Sequence, residues 1–290
     1  MKNYLTKLTV AGAVVMSAAG SAMAGSVSEP GEAVGGAPGA ALPPGLYFVE
    51  EDNWGARSTG GGAQNTLGVN INALVWSTPW QLAGARVMLT GVAITAEAGN
   101  TGAAGNPPFY LAGAFNPLFI GTLAWNLGGG FNFSYSLAGY IPTSSQVADP
   151  GGAIENRIGL SYLKDGWNLS AQLLYGVHTT DETLIGHPNY FNVDATVAKK
   201  LGKWEIGAVG FYSTDTQVEA LATGGLGKQS QFALGALVGY DWGPLITQVY
   251  VTHDVFQQNY GAEDLRVWGR LIVPLGDPLA NGSPGAMFHK

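Results

Sequence analysis

Four histidines, His178, His187, His253 and His289, and no cysteine make up the chain's stock of soft metal ligands. No two of the histidines stand at H-x3-H or HExxH spacing, so nothing in the sequence brings a pair of them onto one face. No metal and no cofactor is expected. A serine nucleophile would need a base at hand, yet no His-x-Ser pairing occurs and His178 runs into Thr179 and Thr180. A barrel-embedded lipid hydrolase is therefore the weakest reading, and no enzyme activity is expected. The many glycines suit turns and close strand packing better than a phosphate-binding loop. The residues that could do chemistry are charges at alternating positions: Glu155, Arg157, Asp194, Glu205, Arg266 and Arg270 all fall on the polar side of segments whose other side is apolar. Gathered in an interior, they would line a pore or fill it with salt bridges, with Glu50, Glu51 or Asp254 as carboxylate partners for Arg266 and Arg270.

The elements that would hold these charges read as β-strands. From Ile154 to His178, two alternating runs flank Lys164-Asp165-Gly166. Ile154, Ile158, Leu160 and Tyr162 share one face with Asn156 as the exception; Trp167, Leu169, Ala171, Leu173, Tyr175 and Val177 share the other run's apolar face, with Leu174 out of step. Gly166 can take the positive φ that a tight hairpin needs, and a two-residue loop at Lys164 and Asp165 would set Tyr162 opposite Trp167 and Ile158 opposite Ala171. Aromatic residues beside the turn and towards the far end suit a hairpin with one face in hydrocarbon and rings at both interfaces.

The same pattern recurs. Only 11% of residues are charged, against roughly a quarter in soluble domains, so a secreted β-sandwich would lack groups to solvate its outer face. After residue 24 no apolar run has the length of a spanning helix, which leaves a closed barrel as the way to satisfy every backbone group in lipid. Twelve strands are expected between Leu46 and Pro274, joined by tight connections at 78–83, 127–130, 164–166, 201–203 and 242–244 and by longer ones at 57–63, 98–109, 142–152, 179–188, 215–229 and 257–263. Short periplasmic turns and long external loops are the asymmetry of outer-membrane barrels. The expected fold is all-β, a transmembrane antiparallel up-and-down barrel over residues 42–275. Residues 1–24 read as a signal peptide, with Lys2 and Lys7, an apolar stretch and Ala22-Met23-Ala24 as cleavage site. Residues 25–41, rich in Gly and Pro, read as a flexible tail, and 276–290 as a periplasmic C-terminal tail. Losing both lysines takes the formal charge of −7 to −9, which argues against nucleic acid as a partner.

Several segments resemble the phenol meta-pathway degradation family of outer-membrane proteins: Pro44-Gly45-Leu46-Tyr47-Phe48, Tyr140-Ile141-Pro142-Thr143, Leu160 to Leu163 with Asp165-Gly166-Trp167, Asp194, Gly207 to Tyr212, and Trp268 with Arg270 to Pro274. The chain departs from the family at Gly186-His187-Pro188-Asn189 and at Asn192, where a Ser-Gly-Asp stretch and a His are usual. The resemblance implies an outer-membrane location and passage of small, often aromatic, compounds. Expected partners are outer-membrane lipids, a small-molecule solute and, during biogenesis, the barrel-assembly machinery. The rival reading is a non-conducting structural or adhesive barrel that works through its loops.

Overall fold

The computed structural model describes residues 26–58, 64–102, 107–149, 151–179, 188–217, 227–259 and 263–279. Thirteen strands run in chain order: β1 (Gly45–Ser58), β2 (Gln64–Leu82), β3 (Ala85–Asn100), β4 (Phe109–Ala114), β5 (Leu118–Gly128), β6 (Phe131–Tyr140), β7 (Ala153–Lys164), β8 (Trp167–His178), β9 (Tyr190–Leu201), β10 (Trp204–Asp215), β11 (Ser230–Asp241), β12 (Ile246–Gln258) and β13 (Glu263–Gly276). Each pairs antiparallel with its neighbours, and β1 pairs with both β2 and β13, so the sheet closes on itself. The outcome is a twelve-strand barrel with one extra strand. That strand is β4, which continues the line of β5: β3 pairs with β5 from Arg86 to Val92 and with β4 from Thr95 to Asn100. Between them, Asn116 is fully buried and donates to the carbonyl oxygens of Asp149 at 3.1 Å and Gly151 at 2.7 Å, fastening the β6–β7 connection to the break in the wall.

Alternation sorts the side chains as their chemistry requires. Leu160, Leu169, Val197, Ile206, Leu234 and Val249 form the exposed apolar band, with Trp80, Phe131, Trp167, Trp204 and Trp242 at its tight-turn edge and Tyr175, Phe232 and Phe256 towards the other. A closed barrel with such a band and two aromatic girdles is an outer-membrane barrel, its tight turns on the periplasmic side.

Two expectations are corrected. The β7–β8 turn is Asp165-Gly166, with φ of 53° and 76°, so Lys164 pairs with Trp167, Tyr162 with Leu169 and Ile158 with Leu173. A two-residue primed turn needs positive φ at both central positions, which Asp-Gly supplies and Lys-Asp does not. The slip is two residues, so the faces are unchanged. The larger correction concerns residues 26–41, which are folded into the barrel lumen: Ser28 and Val34 have no solvent exposure. The proposed signal peptide lies outside the described residues, as does the C-terminal tail beyond Leu279.

Candidate functional site

The interior is organised around the segment from Ser26 to Ala41. With no strand partner, such a stretch satisfies only part of its backbone through its own turns, Glu32 on Glu29, Val34 on Gly31, Gly36 on Ala33 and Ala40 on Ala37, and the remaining N–H and C=O groups would be costly to bury alone. The wall satisfies them. Asp194 accepts from the N–H groups of Gly31 and Ala33, both at 2.9 Å; Thr196 Oγ1 accepts from Gly35 at 2.7 Å; Ser161 Oγ accepts from Gly39 at 3.0 Å. In the other direction, Ser134 Oγ donates to the Pro38 carbonyl at 2.7 Å and Asn168 Nδ2 to that of Gly36 at 3.1 Å. The fit is close enough to fix residue size. A Cβ on Gly159 would stand 2.5 Å from the Pro38 carbonyl, so β7 needs glycine where the segment crosses it.

The three arginines expected to face inward all reach this segment, and a fourth buried arginine, Arg57, which falls in an expected connection, pairs with Asp264 at 3.2 Å. Arg157 pairs with Glu155 at 2.5 Å on its own strand and with Glu32 at 2.6 Å. Arg266 pairs with Asp264 at 2.9 Å and with Glu29, whose other carboxylate oxygen accepts from Asn53. Arg270 pairs with Glu51 and donates to the carbonyls of Glu32 at 2.7 Å and Val34 at 2.6 Å. Glu155 is fully buried and also accepts from Ser28 and Tyr190, each at 2.6 Å. Glu205 accepts from Gln248 at 2.9 Å, and the same amide nitrogen donates to Gly35 O at 3.0 Å. The six charges expected to face inward are therefore buried in the interior, and Glu155, Arg157, Asp194, Arg266 and Arg270 touch the segment directly. The expected partner Glu51 holds Arg270, whereas Asp254 accepts from Gln231 and the Asp264 N–H instead.

Sequence reading passed over Ser28, Glu29 and Glu32, and with them Thr196, Gln248 and Asn168. The available signal was the pair of glutamates three residues apart in an otherwise uncharged Gly/Pro/Ala stretch, opposite arginines that needed carboxylates. Around the polar contacts the lumen is aromatic. Tyr250 and Trp268 stack with centroids 5.1 Å apart, and Val34 packs with them against Phe211, Val209 and Leu237.

The histidines do not converge. His178 is buried with its ring edge-on to Tyr190 at 5.6 Å, His253 is exposed on β12, and His187 and His289 lie outside the described residues. Among the described residues no three His, Asp or Glu side chains are placed to hold a metal ion.

The architecture is shared with a solved outer-membrane channel. The COG4313 outer membrane channel from Pseudomonas putida F1 superposes with a TM-score of 0.67 at 9% identity, over 85% of this chain and 99% of that one. The β domain of the Bordetella autotransporter BrkA gives 0.49 at 12% identity over 79% and 99%, and the NanC porin 0.47 at 10% over 79% and 98%. No curated protein is significantly similar in sequence. Residues 50–271 match the model of the family described by the MetA-pathway of phenol degradation, and over that span, which takes in the barrel from β1 to β13, the chain belongs to this family.

Proposed function

We propose that this barrel passes small apolar molecules, aromatic ones in particular, across the outer membrane, and that residues 26–41 must yield for a solute to cross. The occupied lumen carries the reading. An interior filled by a segment tied to Arg157, Asp194, Arg266 and Arg270 offers no wide water column of the kind a general porin presents, while Tyr250, Trp268, Phe211 and Tyr190 provide flat apolar surface beside it. Two further observations support it: the family's description names phenol degradation, and the Pseudomonas putida structure is an outer membrane channel. The inward charges hold the occluding segment in the closed form and become pore-lining groups once it moves.

The rival is a structural barrel that never conducts, and the network of three arginines on one segment is what favours it. Reconstitution separates the two. Ion current and flux of a small phenolic probe are measured for the full chain and for a variant lacking residues 26–41, with heat-modifiable gel migration as the control for folding. The full chain should pass the probe while carrying little ion current, and the deletion should raise ion current sharply. A folded deletion variant that passes neither ions nor probe would leave the structural barrel as the better account.

A further inference from the structure

The periplasmic rim is unevenly charged. Lys164, Lys199, Lys200 and Lys203 sit at the ends of β7, β9 and β10, around two neighbouring turns in which Asp165 is the one acidic residue; Glu205 lies opposite Lys200 on the lumen side, and the Asp241 N–H donates to the Lys203 carbonyl at 2.8 Å. The other periplasmic tips carry no lysine: Gly128-Gly129-Gly130, Gly243-Pro244 beside Asp241, and Ala83-Gly84, where the one basic residue, Arg86, donates to the Thr78 carbonyl at 2.8 Å. Among the described residues none of the four lysines forms a salt bridge, although the arginines of the lumen all do.

The lysines are held in a defined array. The Lys200 N–H donates to the Gly166 carbonyl at 2.7 Å, which ties the tip of one hairpin to the next. Lys164 pairs with Trp167, Trp167 with Lys199, and Lys199 with Ile206, so a Lys-Trp-Lys row crosses three strands in one register. Lys199 Nζ lies 4.6 Å from the centre of the Trp167 ring and donates to the Asp165 carbonyl at 2.6 Å. Trp167 and Trp204 are 42% and 52% exposed at this level, and above them Leu169, Val197 and Ile206 open the apolar band.

We infer that this sector is a binding site for an anionic phospholipid of the periplasmic leaflet. Its acyl chains would lie on Leu169, Val197 and Ile206, its glycerol region against the two indoles, and its phosphate between Lys164 and Lys199, with Lys200 and Lys203 adding to the local field. Indoles favour the level where hydrocarbon meets headgroups, and lysines beside them extend their ammonium groups to the headgroup plane. Clustered basic residues at that plane select anionic over zwitterionic lipid. The inference rests on the barrel's place in the outer membrane and is independent of what the lumen transports.

Native mass spectrometry of the full chain in mild detergent tests it, with phosphatidylglycerol and phosphatidylcholine of identical acyl chains as probes. Phosphatidylglycerol should be retained preferentially, Lys164→Gln or Lys199→Gln should each weaken retention by about fivefold and more than Lys200→Gln, and Lys164→Arg and Lys199→Arg should preserve it. Heat-modifiable migration checks that each variant is folded. Equal retention of the two lipids, or undiminished phosphatidylglycerol binding by the variant with all four lysines changed to Gln, would overturn the inference. So would displacement of the lipid by millimolar inorganic phosphate, which would mark a phosphate site and not a lipid site.

Discussion

Along β7 and β8, pairs run from Ala153 and His178 to Lys164 and Trp167 without a register shift. Across the barrel, β2 slips against β3 between Ser77 and Gln81, β3 changes partner from β5 to β4, and β1 turns Asp52 outward while Glu51 points into the lumen. The two regions meet one membrane under different constraints. An unbroken pairing register keeps each side chain on its face, so β7 and β8 alternate with two exceptions, Leu174 inward and Asn156 outward, where its Oδ1 accepts from Tyr135 at 2.6 Å. Where pairing is interrupted the chain closes the wall by other means, with Asn116 on the carbonyls of Asp149 and Gly151, and polar residues gather there on the outer face. Asp52, Asn70, Thr95, Glu97 and Trp54 line a concavity of about 480 Å³ on that side.

Three changes test the contrast. The largest effect is expected inside the regular sector: Arg157→Met removes one member of a buried ion pair and leaves Glu155 and Glu32 without their cation. The cost should be about 3–5 kcal/mol in a denaturant titration of the folded barrel. A loss below about 1 kcal/mol, the scale of an exposed ion pair, would mean that the segment is not anchored there. Next is Leu169→Arg on the outer face of β8, where a charge enters the hydrocarbon band at about 2–4 kcal/mol. Smallest is Thr95→Arg in the irregular sector, beside Asp52 and Glu97, where about 0–1 kcal/mol is expected near an interface. Equal costs for Leu169→Arg and Thr95→Arg, measured by the same titration, would erase the distinction between the two walls.

What could be read from the sequence divides along the same line. The outward face was legible because lipid leaves a strand no freedom: Leu169, Tyr175, Val197 and Ile206 announce themselves by period two. The inward face was legible as polar, which is why Glu155, Arg157, Asp194, Glu205, Arg266 and Arg270 could be named. What filled it was not. Residues 26–41 have no period because their contacts are spread over β1, β6, β7, β8, β9, β12 and β13, and a glycine such as Gly39 serves close approach to the wall in a composition that otherwise signals flexibility. β4 does not stand out in the sequence: Phe109 falls in the connection expected at 98–109, and the remaining five residues are few and mostly small, which blurs the alternation. The β7–β8 register depended on a single choice, Lys-Asp or Asp-Gly as the central pair, and only the second supplies two residues that accept positive φ.

The bonds between the lumen segment and the wall also bear on the order in which the chain assembles. Gly39 and Ser161 are 122 residues apart, and Glu29 and Arg266 are 237 apart. The entropic cost of closing a loop grows with its length, and contacts so distant form late unless something holds the ends together. The seam between β1 and β13 joins the two ends of the barrel, and the segment that enters the lumen is the chain leading directly into β1. The contacts of the segment with β13 and the pairing of β1 with β13 therefore share one large closure cost: whichever forms first brings the two ends of the barrel together and lowers the cost of the other.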